Sequence, residues 1–158
     1  MKYAEGTTVS VEKSQAELRQ ILARYKTTRF GLMEEPGRTI IVFEMSGLPF
    51  RISIDLPKKE DDVFLYKTHA GTGRKTKRTP DAAYEQWERA CRQKWRVMLL
   101  IIKANLEAAG MGILTPEQAL MPFLVTSSGR TIMEETYPRL KEIAAKGLHF
   151  KGLLGDGK

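Results

Sequence analysis

The stretch "TIIVFEMSGLPFRISIDL", residues 39–56, decides how this chain folds. Its first part, Thr39–Met45, is apolar on both faces and rich in β-branched side chains, the composition of a central strand. Ser46–Gly47 then turns the chain. From Phe50 to Leu56 the pattern alternates: Phe50, Ile52, Ile54 and Leu56 on one face, Arg51, Ser53 and Asp55 on the other. A period of two is that of a half-buried strand, and a connection this short joins antiparallel neighbours.

Working outward, Thr28–Met33 supplies a further strand before the turn at Pro36–Gly37, so the three strands form a meander. Upstream, Ser14–Gln15–Ala16–Glu17 has the spacing of a helix-capping box, and Leu18, Ile21, Leu22 and Tyr25 follow at helical spacing. Downstream, Thr79–Pro80 opens a helix expected to run to about Ala109 and to stop at Gly110. Thirty residues give about 45 Å of helix. Thr115–Pro116–Glu117–Gln118 opens a short helix, and Thr131–Ile132–Met133–Glu134 opens a last one, with Pro138 expected to kink or restart it. The fold class is α+β: a three-stranded antiparallel meander preceded by one helix and followed by a long helix and a helical C-terminal part. Residues 1–146 read as a single domain. Residues 147–158 are Gly-rich and read as a flexible tail, whose Leu148, Phe150, Leu153 and Leu154 offer a contact to a neighbouring subunit.

The net charge of +7 is unevenly placed. Residues 1–66 carry ten basic and ten acidic side chains, and residues 104–158 six of each. Residues 67–103 carry ten basic and three acidic, so the whole excess lies there. A concentrated basic segment is the footprint of a polyanion site; a solvated charged face is its bland alternative. Within that segment "HAGTGRKT", residues 69–76, has the flavour of a phosphate loop but not its spacing. Arg74 separates Gly73 from Lys75, Thr68 stands where the first glycine of such a loop belongs, and Thr76 replaces the third glycine of a dinucleotide fingerprint.

The long helix sorts its residues by face at 100° per residue. Tyr84, Trp87, Cys91, Trp95, Met98, Ile102, Leu106 and Ala109 form one apolar stripe. Val97, Leu100, Ile101 and Ala104 form another, so its C-terminal half is expected to be packed on two sides. Arg89, Arg92, Arg96 and Lys103 make a ladder about 21 Å long. Glu85 is placed to pair with Arg89 and Glu88 with Arg92, whereas Arg96 and Lys103 have no acidic residue four positions before them. Together with a flexible loop carrying Lys67, Arg74, Lys75, Lys77 and Arg78, the ladder reads as a binder of phosphates, with Gly71 and Gly73 letting backbone N–H groups approach the anion. Tyr84, Trp87 and Trp95 are candidates to stack unpaired bases, with core packing as the alternative for all three on the apolar stripe; Tyr66 and Tyr84, flanking the loop, are better stacking candidates than Trp95.

Catalytic constellations are sparse. His69 and His149 with one cysteine give no metal-ligand spacing, so neither metal nor cofactor is expected. Cys91 lies on the apolar stripe as a core thiol. Glu44 and Asp55 on neighbouring strands, with Lys58 nearby, are the residues a metal-dependent nuclease would use; Asp55 has Arg51 and Lys58 as alternative partners. Glu60–Asp61–Asp62 reads as a solvated turn. No apolar run reaches membrane-spanning length and no N-terminal leader is evident, which together with a single cysteine points to the cytoplasm.

Two blocks, "EGTTVSVEKSQAELRQILARY" and "CRQKWRVMLLIIKANLEAAGMGILTPEQAL", resemble a family of short uncharacterised proteins of bacteriophages and prophages. That resemblance implies a viral setting in a bacterial host and transfers no site. The meander followed by a long helix also looks like the βββα core of phage strand-annealing recombinases, and the helix–three strands–helix order is that of double-stranded-RNA-binding domains. The resulting expectation is a non-enzymatic binder of single-stranded DNA or RNA that forms a homo-oligomer. The alternatives are a module binding an acidic host protein and, below it, a nuclease.

Overall fold

A computed structural model of the chain describes residues 4–146; the expectations for the tail at 147–158 lie outside them. Helix α1, Val11–Arg24, is followed by strands β1 (Arg29–Glu35), β2 (Arg38–Met45) and β3 (Leu48–Asp55). A single helical turn α2 (Asp62–Leu65) leads to a hairpin of β4 (Tyr66–Thr68) and β5 (Lys75–Lys77). Helices α3 (Pro80–Gly110), α4 (Pro116–Leu120) and α5 (Ile132–Ala145) complete the chain, with a 3₁₀ turn at Met121–Phe123.

The meander is as the alternation requires: order β1-β2-β3, antiparallel throughout. Ser46 and Gly47 both have positive φ, 54° and 76°, the double left-handed turn that matches strand twist in a tight hairpin. Thr39, Ile41, Phe43 and Met45 of β2 and Phe50, Ile52 and Ile54 of β3 face inward. Phe43 lies directly across from Phe50, their rings stacked at 5.2 Å. Against this face pack Leu18, Ile21 and Leu22 of α1 and Trp95, Leu99, Ile102 and Leu106 of α3, with Leu120 closing the end. The core is therefore one layer of sheet under two helices.

Several local expectations need correction. The first helix is capped by Ser10, whose hydroxyl accepts from the Lys13 N–H at 3.2 Å. Ser14 lies one turn inside the helix, buried, and its hydroxyl donates to the Ser10 carbonyl at 3.0 Å, so it has no capping role. "VFLY", residues 63–66, has the composition of a short edge strand, yet it forms most of α2 and the start of β4. It adds nothing to the main sheet, because β4 pairs with β5. Asp55 pairs with Arg38 at 2.8 Å, and Arg51 turns away from it to Glu134 at 2.6 Å and the Gly129 carbonyl at 2.9 Å. Helix α5 runs continuously through Pro138. Proline leaves the Glu134 carbonyl without its intrahelical donor, and the Arg130 guanidinium supplies one instead. Finally, the second apolar stripe of α3 is not packed: Val97, Leu100 and Ile101 are each about two-fifths exposed.

Candidate nucleic-acid interface

The basic connector is a structured element. In the hairpin Tyr66 faces Lys77, Lys67 faces Thr76 and Thr68 faces Lys75. Its turn is closed by His69 N–H to the Arg74 carbonyl at 2.9 Å and Gly73 N–H to the His69 carbonyl at 3.0 Å. Gly71 and Gly73 occupy positive φ, 93° and 65°, and a Cβ at either would meet open space. They serve the backbone turn. The flexible loop expected from the sequence is thus corrected to a β-ribbon held together by its own ladder and by a hydrogen bond between the His69 imidazole and the Thr76 hydroxyl at 3.0 Å.

Every residue from Lys67 to Lys77 is exposed. Lys67, Arg74, Lys75 and Lys77 lie within Tyr66–Lys77, which contains no acidic residue. Only Lys75 has an ion-pair partner among the described residues, Asp62 at 3.4 Å, and both groups are more than half exposed. An exposed pair of that kind is readily exchanged for a stronger anion. Alternation puts Tyr66, Lys75 and Lys77 on one face of the ribbon and Lys67 on the other. Tyr66 is half-buried at the root of that face.

Arg78 belongs elsewhere. Its Nη1 donates to the carbonyls of Val63 at 3.0 Å, Phe64 at 2.9 Å and Tyr66, and its backbone N–H donates to Leu65 at 2.8 Å. It ties the C-terminal end of α2 to the hairpin root, and its expected place in a phosphate clamp is withdrawn.

The ladder on α3 is broken in the same way. Arg92 pairs with Glu88 at 2.6 Å with its side chain 18% exposed, and its Nε is buried without a partner. Arg96 pairs with Glu17 of α1 at 2.6 Å, 21% exposed. No i−4 rule could find that partner, because it comes from another helix. The α3–α1 packing that builds the core also brings the carboxylate. Arg89 and Lys103 remain exposed, and among the described residues neither has an ion pair, the expected Glu85–Arg89 pair included. Lys94, outside the ladder, donates to the Asp55 carbonyl at the end of β3.

The aromatic candidates separate as well. Trp95 is core, 1% exposed. Trp87 donates its indole N–H to the Pro57 carbonyl at 2.8 Å. Tyr84 is half exposed but lies against Trp87 at 5.4 Å, and the Lys59 ammonium sits over both rings, 5.1 Å from Tyr84 and 4.4 Å from Trp87. That cation–π cluster occupies the face a base would take, which leaves Tyr66 as the better-placed stacking residue. Lys59 was missed from sequence, since nothing in "PKKEDD" marks which lysine reaches an aromatic pair twenty-five residues on.

The acidic pair of the nuclease reading is not assembled. Glu44 stands across from Pro49 and binds Thr28 and Arg29, while Asp55 stands at the far end of β3, roughly 20 Å away at strand rise. Among the described residues no three His, Cys, Asp or Glu side chains gather as a metal site would need. Cys91 is buried, and burial pushes its thiol up from the ordinary range, the opposite of what a nucleophile requires. No helix of the described residues is long and apolar enough to cross a membrane. Family models, curated proteins and solved structures give no match to this chain.

Proposed function

We propose that this protein is a non-enzymatic binder of single-stranded nucleic acid, with the Tyr66–Lys77 ribbon as its principal binding element. The observation that carries the proposal is the ribbon's charge: four exposed cations, no acid, and one weak ion pair. Folding the chain normally neutralises surplus charge where carboxylates are near, as Arg92 and Arg96 illustrate. An exposed element left uncompensated creates a positive potential suited to phosphates. Tyr66 on the same face as Lys75 and Lys77 adds a ring for an unpaired base, which favours single strands. Arg89 and Lys103 extend the positive surface along α3. A phage or prophage setting in the bacterial cytoplasm, where single strands arise during replication and recombination, is the context proposed for it.

The test is fluorescence anisotropy with labelled single- and double-stranded DNA and RNA, comparing the native chain with a variant carrying Lys67→Ala, Arg74→Ala, Lys75→Ala and Lys77→Ala. The proposal expects tight single-strand binding that the variant loses. Equal binding by both chains would remove the ribbon from the account. An acidic protein competing as effectively as the oligonucleotide would move it to the protein-interaction reading.

A further inference from the structure

A long helix in a small domain usually buries one stripe; α3 presents two, and only one meets the core. Ala90, Val97, Ala104 and Met111 recur every seven residues and fall within about 60° of arc, on the side of the helix away from Trp95, Ile102 and Leu106. Leu100 and Ile101 flank that seam, each 41% exposed, and Met111 is 77% exposed. Beside it a groove of about 580 Å³ runs between α3 and β3, lined by Ile54, Ala90, Val97, Met98 and Ile101 among others.

We infer that this seam pairs with the same seam of a second copy, antiparallel, about a two-fold axis between Leu100 and Ile101. The order of residue sizes selects that arrangement. The midpoint of Leu100 and Ile101 is also the midpoint of Val97 and Ala104, and of Ala90 and Met111. A dyad there sets each large seam residue against a small one of the other copy, Val97 on Ala104 and Met111 on Ala90, as interdigitated layers require. A parallel pair in register would oppose Val97 to Val97 and Ala104 to Ala104, a wide layer followed by a narrow one, and so would pack less evenly. Charge agrees. Glu107, exposed and without a described ion pair, comes level with Arg96 of the other copy to within about 3 Å along the axis, on the same flank, where it would add a second carboxylate to the one Arg96 already has in Glu17. Seam length from Ala90 to Met111 is about 32 Å. A strip that long and one helix wide presents roughly 300 Å² of facing surface, below the roughly 800 Å² per partner of a stable complex, so the dimer is a weak, concentration-dependent one. Pairing would place the two hairpins about 65 Å apart and bring Arg89 and Lys103 of both copies to one side of the dyad.

This inference stands whether or not the ribbon binds nucleic acid, and its test needs none. Sedimentation of the full chain from a few to a few hundred micromolar should show a monomer–dimer equilibrium, and Leu100→Glu with Ile101→Glu should leave a monomer with unchanged circular dichroism. Register is read by cysteine cross-linking under mild oxidation. A mixture of Val97→Cys and Ala104→Cys chains should form the mixed disulfide at least severalfold faster than either forms its own, while native Cys91 stays reduced. A monomer at every concentration would overturn the proposal. So would a dimer insensitive to the glutamates, or one in which Val97→Cys links to itself or to Tyr137→Cys on α5 in preference.

Discussion

Arg78 and Arg74 stand four positions apart in one basic run, yet the fold gives them opposite tasks. Arg78 satisfies three carbonyls at the end of α2 and the hairpin root, so Arg78→Ala should cost about 1–3 kcal/mol of local stability. Limited proteolysis of the hairpin should accelerate roughly tenfold or more, while the body of the domain melts nearly as before. Arg74 has no ion pair among the described residues, and its replacement should leave proteolysis unchanged. The Arg96–Glu17 contact makes a second division. A double-mutant cycle on thermal or urea unfolding should give a coupling of about 0.5–1 kcal/mol, the range for a pair retaining partial exposure. Arg96→Gln alone should leave oligonucleotide affinity unaltered, whereas Lys103→Ala should weaken it. A binding defect in Arg96→Gln without loss of stability would restore the intact ladder. Which guanidinium was free could not be read from the sequence, because Glu17, Val63 and Phe64 reach these arginines only through tertiary packing.

At the scale of elements, most of the architecture was legible. The alternation of residues 50–56, the Ser46–Gly47 turn and the caps at Thr79, Thr115 and Thr131 are local signals, and local signals survive folding. What stayed illegible depended on partners far along the chain. The hairpin was hidden because two three-residue strands, Tyr-Lys-Thr and Lys-Thr-Lys, carry no hydrophobic period. The docking of α5 was hidden because it rests on Arg51. Helix α5 buries none of its fourteen residues fully, so its hold on the body comes from its first turn. There the Thr131 N–H and then Arg51 hold the Glu134 carboxyl below its ordinary range, and the Ser128 and Thr126 hydroxyls do the same for Glu135. A lowered folded-state pKa means that the contribution is present above the unfolded value, near 4.3, and is lost as pH falls through the folded one. Amide protection in α5, measured against the intrinsic exchange rate at each pH, should therefore fall below about pH 4, ahead of protection in β2. In Glu134→Gln and Glu135→Gln chains, that early loss should disappear from the acid limb and α5 should already exchange faster at pH 7. Parallel exchange of α5 and β2 across the range would show that those carboxylates do not hold the helix.

At the scale of the whole molecule, residues 1–66 and 104–158 each balance their charges, and the surplus of seven lies between them. Part of that surplus is absorbed by carboxylates and carbonyls, so the ribbon, extended by Arg89 and Lys103 on α3, carries the uncompensated remainder. Each phosphate neutralised on a single strand should contribute about 0.7 to the slope of log affinity against log salt. Four ribbon cations therefore set an expected slope of about −3, steepened by Arg89 and Lys103 where the strand reaches them. The most direct measurement is this slope for single-stranded DNA, taken for the native chain and for the four-alanine ribbon variant. The native chain should give about −3 or steeper, and the variant a slope shallower by nearly 3. A flat dependence in the native chain, or the same slope in both, would contradict it.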